Sequence, residues 1–186
     1  MNEVELDILL WIRDVFQCGF LDWFMPLITK LGDEGIFWIA VAVVLLFIPK
    51  CRKAGAVLGL SLLLGLLIGN LALKPLIERI RPYDLFYELN GEHIKLLIDA
   101  ETSYSFPSGH TLASFEAATA LLINKRKLGI AALVIAVLVA LSRIYLFVHY
   151  PTDILGGIVL GAINGILATL VVNFVIKLYN NKKARV

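Results

Sequence analysis

The sequence predicts an all-α polytopic membrane protein: a transmembrane bundle of five to six helices with an N-terminal interfacial helix. Three observations carry that expectation. The 186 residues are 59% hydrophobic with a mean hydropathy of +0.83, whereas soluble domains sit nearer 45–50% apolar. The excess is gathered into long uncharged runs rather than spread through the chain. Between these runs stand short Lys/Arg clusters that contain no acidic residue.

Taken in order, residues 1–31 form the first unit. Residues 4–16 alternate apolar and charged positions with helical spacing, and Trp11, Trp23 and Phe24 suit a membrane interface. One or two interfacial helices are expected there, with a sixth crossing as the alternative. Residues 32–178 form the membrane domain. Its first run, 36–48, is short and must borrow from the polar segment 32–35 to span. Residues 54–73 and 154–176 each reach the roughly 20 apolar residues that a crossing needs. Residues 128–148 also qualify but carry Arg143, and 111–124 contain Glu116 and approach a full span only when extended back to Pro107. Residues 179–186 are a basic tail.

Charge placement sets the expected orientation. Lys50-Cys51-Arg52-Lys53, Lys125-Arg126-Lys127 and the tail with Lys177, Lys182, Lys183 and Arg185 all fall on one side of a five-span layout. The positive-inside rule makes that side cytoplasmic, so residues 74–106 and the turn 148–153 face outward. Small residues at four-residue intervals (Ser61, Gly65, Gly69 and Gly157, Gly161, Gly165) read as close helix packing. A net charge of +2 without a basic stripe argues against nucleic acid as a partner. Cys18 and Cys51 lack the spacing of a disulfide framework or zinc site. Glu3, Glu5 and Asp7 do not resemble the basic start of a cleaved signal peptide.

Polar residues concentrate at the outer ends of the spans, in three groups. The first is Lys74 with Arg79, Arg81 and Pro82; taken alone, its cations could simply snorkel to the interface. The second, Pro107-Ser108-Gly109-His110, precedes an apolar helical run. It could be only a helix start, or it could offer Ser108 and Gly109 N–H groups to an anion. The third is Ser142-Arg143 followed by His149 and Asp153. A cation inside an apolar span needs a partner and by default suggests function. Lys74, Arg81 and Arg143 facing one pocket would suit a multiply charged anion such as phosphate. The i, i+4 spacing lets Asp153 accept Nδ1–H of His149, leaving Nε2 as a free lone pair. Asp153 could also serve merely as a favourable charge at a helix N-terminus.

Together these groups resemble the type 2 phosphatidic acid phosphatase (PAP2) family, whose site is shared with vanadium haloperoxidases and bacterial acid phosphatases. The family pattern KxxxxxxRP, PSGH and SRxxxxxHxxxD is filled by Lys74 to Pro82, Pro107 to His110 and Ser142 to Asp153 with its internal spacing intact. The resemblance covers about residues 54–176, and the N-terminal third matches only in general character. It implies His149 as nucleophile forming a phosphohistidine, Asp153 orienting it, and His110 as general acid and then base. It also implies that Lys74, Arg81, Arg143, the Ser108 hydroxyl and the Gly109 amide hold the phosphoryl oxygens. No metal and no cofactor are implied.

The expected activity is hydrolysis of a lipid phosphomonoester or diphosphate in the cell membrane, with undecaprenyl diphosphate as the first substrate choice. Phosphatidylglycerophosphate, phosphatidic acid and lipid A 1-phosphate are the alternatives. A nonenzymatic phospholipid-binding membrane protein is the alternative from another class. Outside the motif, Glu116 is expected in a structural pairing, Asn70 and Asn164 in interhelical hydrogen bonds, and His93 in solvent. Arg79 is read as facing solvent or headgroups at least as readily as phosphate. The loop 83–104 is expected to cover the pocket.

Overall fold

A computed structural model describes residues 2–183, and among these every regular element is helical. The elements are α1 (Asn2–Phe16), α2 (Gly19–Thr29), α3 (Ile36–Phe47), α4 (Arg52–Gly65), α5 (Lys74–Ile77), α6 (Pro82–Asn90), α7 (Gly109–Asn124), α8 (Arg126–Tyr145) and α9 (Pro151–Lys183). A 3₁₀ segment, Lys30–Gly35, joins α2 to α3, and a wider π-helical stretch, Leu66–Leu73, carries α4 into α5. Arg185 of the basic tail lies outside the described residues.

The bundle is built around α7, which packs against α4, α8 and α9. Two glycine rows make this approach possible. A β-carbon at Gly161 would stand 2.9 Å from the Leu112 carbonyl oxygen, and one at Gly165 would stand 2.7 Å from Cβ of Thr119. On the other side a β-carbon at Gly69 would meet Leu112 at 2.3 Å. Both rows therefore face the same helix: the α9 row lies against its backbone, and the Gly65–Gly69 row leaves room for its Glu116 and Leu112 side chains. One apolar cluster, including Trp38, Val57, Leu58, Leu121 and Ala136, fills the interior of α3, α4, α7 and α8. A second, with Leu6, Leu9, Tyr83, Leu146 and Tyr150, seals the end that carries the polar motifs.

The outward face is apolar: Val134, Val137 and Leu141 on α8, and Val159, Ile163 and Phe174 on α9, are all exposed. Charged groups such as Arg81, Arg143, Glu116 and Asp153 are buried instead. That inversion suits a lipid solvent, in which internal polar groups must pair with one another. Arg52–Asn90, Arg126–Tyr145 and Pro151–Lys183 are long and apolar enough to cross a membrane.

Three expectations change in the folded chain. Residues 32–35 do not lengthen α3, because Glu34 (φ 47°) and Gly35 (φ 68°) are left-handed and turn the backbone. Arg143 sits in the last turn of α8, which ends at Tyr145, so it is closer to the helix end than the apolar run suggested. Pro107 precedes the α7 N-cap, Ser108, and is not in the first helical turn. The N-terminal helices pack at the end of the bundle that bears the motifs. Glu5 of α1 bonds Thr152, while Asp22 and Thr29 of α2 bond Tyr145 and Arg143.

Gly161→Ala should force α7 and α9 apart and cost about 1–3 kcal/mol, the usual range for overpacking. Gly59→Ala, where the new methyl meets nothing within 4 Å, should leave stability unchanged or slightly raised. Thermal unfolding of both variants in detergent checks the contrast.

Candidate active site

The three polar groups converge at one end of the bundle, and the backbone ties them together. Ser108 N–H donates to the Asp153 carbonyl at 3.2 Å, and Ser105 N–H donates to that of Arg79 at 2.9 Å. The chain leaves α8 through Leu146–Val148, with Phe147 at φ 63°. Such a conformation costs a non-glycine residue roughly 1–2 kcal/mol. It brings His149 inward ahead of Pro151, which opens α9, so that Asp153 lies in the first helical turn.

Arg81 and Arg143 form the floor of an anion seat, with 2% and 1% of their side chains exposed. Both guanidiniums bind one carboxylate: Glu101 Oε2 accepts from Arg81 at 2.5 Å, and Glu101 Oε1 accepts from Arg143. Arg81 is fixed further by donating to the carbonyls of Ser103 (2.7 Å) and Val148 (3.0 Å). Lys74 and Arg81 both donate to the Ser103 hydroxyl, at 3.0 and 3.1 Å. A bidentate carboxylate across two guanidiniums has the charge and oxygen spacing that one edge of a phosphoryl group would present. Gly109, as the first residue of α7, has an N–H without an intrahelical acceptor. The space beside its Cα faces Lys74. The Ser108 hydroxyl, by contrast, caps α7 by accepting from Thr111 N–H and Oγ1–H.

His149 is completely buried. Its Nε2 lies 3.3 Å from Arg81 Nη1, which can only donate. Nε2 therefore carries the lone pair and Nδ1 the proton. Nδ1 points to Asp153 Oδ2 at 3.4 Å, a long contact. Burial first, then the positive charges of Arg81 and Arg143, hold the imidazole well below its ordinary pKa of 6.5. The ring is thus kept neutral and nucleophilic.

Asp153 has shorter bonds elsewhere. Its Oδ2 accepts from Ser105 Oγ (2.5 Å) and Tyr150 N–H (2.9 Å), and its Oδ1 from Arg79 (2.5 Å). Arg79 faces neither solvent nor the anion seat. It also binds Glu5 of α1 at 2.5 Å and stacks on the Tyr150 ring, 4.0 Å from its centroid. The expectation for Arg79 is corrected accordingly: it is a buried tether between α1 and the Asp153 carboxylate.

His110, in the first turn of α7, binds Asp33 through Nε2 at 2.8 Å. Glu116 accepts from Asn164 Nδ2 at 2.7 Å and lies against Gly65, an interhelical pairing. Asn70 differs from expectation: its buried Oδ1 finds no partner among the described residues. His93 is exposed and stacks on Tyr87.

Among the residues that contact this machinery, Glu5, Thr29, Asp33, Glu101, Ser103 and Ser105 escaped the sequence reading. Charge balance is the signal that could have pointed to the three carboxylates. Buried cations require carboxylates, and every acidic residue except Glu116 and Asp153 falls within residues 1–34 or 74–106. From this polar layer a cleft of about 1150 Å³ runs between α3 and the α4–α7 face, lined by residues such as Lys74 and His110 at one end and Leu46 and Gly59 at the other.

The PAP2 superfamily model matches residues 54–177. An undecaprenyl-diphosphatase of Sulfolobus acidocaldarius is 35% identical over 147 residues, covering 78% of this chain and 68% of that protein. Undecaprenyl-diphosphatase BcrC of Bacillus subtilis is 31% identical, with 79% and 72% covered. Among solved structures, a transmembrane PAP2-type phosphatidylglycerolphosphate phosphatase from Bacillus subtilis superposes with a TM-score of 0.72 at 28% identity, covering 90% of this chain and 83% of that one. With the motif geometry and these likenesses in agreement, the chain belongs to the PAP2 superfamily.

Proposed function

We propose that this protein is an outward-facing membrane phosphatase that removes the terminal phosphate of a polyprenyl diphosphate, undecaprenyl diphosphate being the substrate for which two of its relatives are named. One observation carries the chemistry: a buried neutral His149 whose Nε2 lone pair faces the Arg81–Arg143 anion seat. The cleft supports a long tail. Along α3 its lining extends from Ile36 to Leu46, ten residues or about 15 Å of helix rise. In the membrane arrangement we favour, α3, α4, α7, α8 and α9 cross and α1 and α2 lie at the outer interface. The three basic clusters then face the cytoplasm, as does the C-terminus.

The reaction follows from the atoms in place. The terminal phosphoryl group displaces Glu101 and is held by Arg81, Arg143, Lys74 and the Gly109 amide. Nε2 of His149 attacks phosphorus, and the P–O bond to the lipid monophosphate breaks. His110 gives the departing oxygen its proton, while Asp153 and its neighbours stabilise the imidazolium charge on phosphorylated His149. His110 then takes a proton from water, which attacks phosphorus, cleaves the P–N bond and releases inorganic phosphate. Cations fixed before the reaction stabilise the phosphoryl oxygens without reorganising.

Purified protein in detergent with EDTA should release phosphate from undecaprenyl diphosphate faster than from phosphatidylglycerophosphate or phosphatidic acid. Preference for a glycerolipid would overturn the substrate assignment but keep the class. His149→Ala should abolish release in a protein that remains folded by circular dichroism; near-normal activity would sink the phosphohistidine route. Because His149 is held neutral, the acid limb of kcat/KM should lie below pH 6.5. An acid limb above 6.5 would mean that the ring is charged at rest. Glu101→Gln should tighten inhibition by inorganic phosphate about fivefold, roughly 1 kcal/mol, by removing a competing carboxylate. Weaker inhibition would show that Glu101 assists the anion.

A further inference from the structure

His110 has to be an acid in surroundings that oppose its protonation. Lys74 stands beside the first turn of α7, and Arg81, Arg143 and His149 occupy the same polar layer. Four groups that are cationic or become so in the reaction thus face a histidine that must itself carry a proton when the leaving group departs. Glu101 is committed to the two arginines and is the group a substrate would displace. Asp153 is saturated by Arg79, Ser105 and Tyr150 on the far side of His149. Glu116 lies deeper on α7 and is bound to Asn164. Glu34 lines the same cleft without a bond to the ring.

Asp33 is placed differently. Its Oδ1 stands 2.8 Å from His110 Nε2. A carboxylate can only accept, so Nε2 carries a hydrogen and Nδ1 is the ring atom left to exchange a proton. The chain is shaped for this contact. Asp33 leaves helical geometry (φ −58°, ψ 118°), and Glu34 and Gly35 turn the backbone in left-handed conformations. Gly32 packs flat on the imidazole: a β-carbon there would stand 2.7 Å from His110 Cδ2. Two left-handed residues and a glycine in van der Waals contact with the ring are more than a helix-to-helix connection requires.

We propose that Asp33 is the positioning residue of the acid–base histidine, holding His110 with Nε2–H bound and stabilising its imidazolium against the surrounding cations. The site then contains two His–Asp pairs with opposite tasks. His149, beside Asp153, stays neutral to attack phosphorus; His110, beside Asp33, is kept able to protonate the leaving oxygen. The second carboxylate comes from residues 30–35, outside the segment 54–177 that the family model matches. The N-terminal third of the chain thereby contributes to the chemistry as well as to anchoring. This inference rests on the phosphatase reading given above.

The test compares wild type, Asp33→Asn, Asp33→Glu and the neighbouring Glu34→Gln, with pH profiles of kcat and KM on the preferred lipid phosphate. Asp33 is 54% exposed, so its substitution should not unfold the protein, and thermal unfolding is recorded alongside. Removing the carboxylate leaves His110 among cations only, which lowers its proton affinity. Asp33→Asn should therefore reduce kcat about 10- to 100-fold at neutral pH with KM within about twofold. The basic limb of kcat/KM should move about one unit or more to lower pH. Asp33→Glu should recover part of the rate and return the limb towards wild type, and Glu34→Gln, on the same turn but without a bond to the ring, should leave the basic limb at its wild-type position. A uniform loss of rate with no movement of the basic limb, or a rise confined to KM, would overturn the proposal and leave the phosphatase reading intact. No phosphate release by wild-type protein from any lipid phosphate would overturn both.

Discussion

The constraint on which the site depends is that one buried carboxylate, Asp153, receives donors from four directions. Arg79, Ser105 and the Tyr150 amide bind it closely, and His149 Nδ1 approaches at 3.4 Å. These partners come from the stretch before α6, the loop before α7 and the turn before α9. One side chain therefore sets the relative positions of three segments. A charge so fully buried and bonded has strong preferences for where its partners lie. The long contact to His149 fits this picture: Asp153 is anchored by other groups, and the histidine is positioned against an already rigid acceptor.

The buried cations are neutralised in two distinct ways. Arg79 is held between Glu5 and Asp153, all three almost inaccessible to solvent, and stacks on Tyr150. Nothing about that arrangement invites exchange. Arg81 and Arg143 share Glu101, which is 25% exposed and comes from a loop without regular structure. A structural cation and the pair we assign to the phosphoryl group thus sit within one layer, distinguished by how deeply their counter-ions are buried. Leaving the pair unneutralised would be costly in a site surrounded by apolar helices. A displaceable carboxylate answers that cost while keeping the seat shaped for phosphate.

The bundle explains how such a layer can hold its geometry. Helix α7 runs between two glycine rows, its backbone against that of α9 and its Leu112 and Glu116 side chains against Gly69 and Gly65, so its N-terminus has little freedom to shift. Ser108, Gly109 and His110 stand on that N-terminus. Trp38 of α3 donates to Ser114 of α7 at 3.1 Å and links the cleft wall to the same helix. The N-terminal helices then close the polar end of the bundle, α1 through Glu5 and α2 through Thr29, which accepts from Arg143 at 2.6 Å.

The sequence by itself determined the membrane character, the helical class and the three motif groups, because each is written in local terms. Apolar run length marks helices fit for lipid, and the spacing of His149 and Asp153 is a matter of one helical turn. Arg79 and Arg81 show where local reading stops. The backbone from 78 to 81 is not helical and Glu78 is left-handed (φ 49°), so no regular period tells from the sequence which way Arg79 and Arg81 project. Arg79 reaches Glu5 and Asp153, while Arg81 reaches Glu101 and His149. Only the tertiary structure decided which cation is tied to the scaffold and which stands beside His149. It likewise supplied Glu101 to Arg143 across 42 positions and Asp33 to His110 across 77. Pairing of buried charges is set by distance in space after packing. No periodicity or short motif records it.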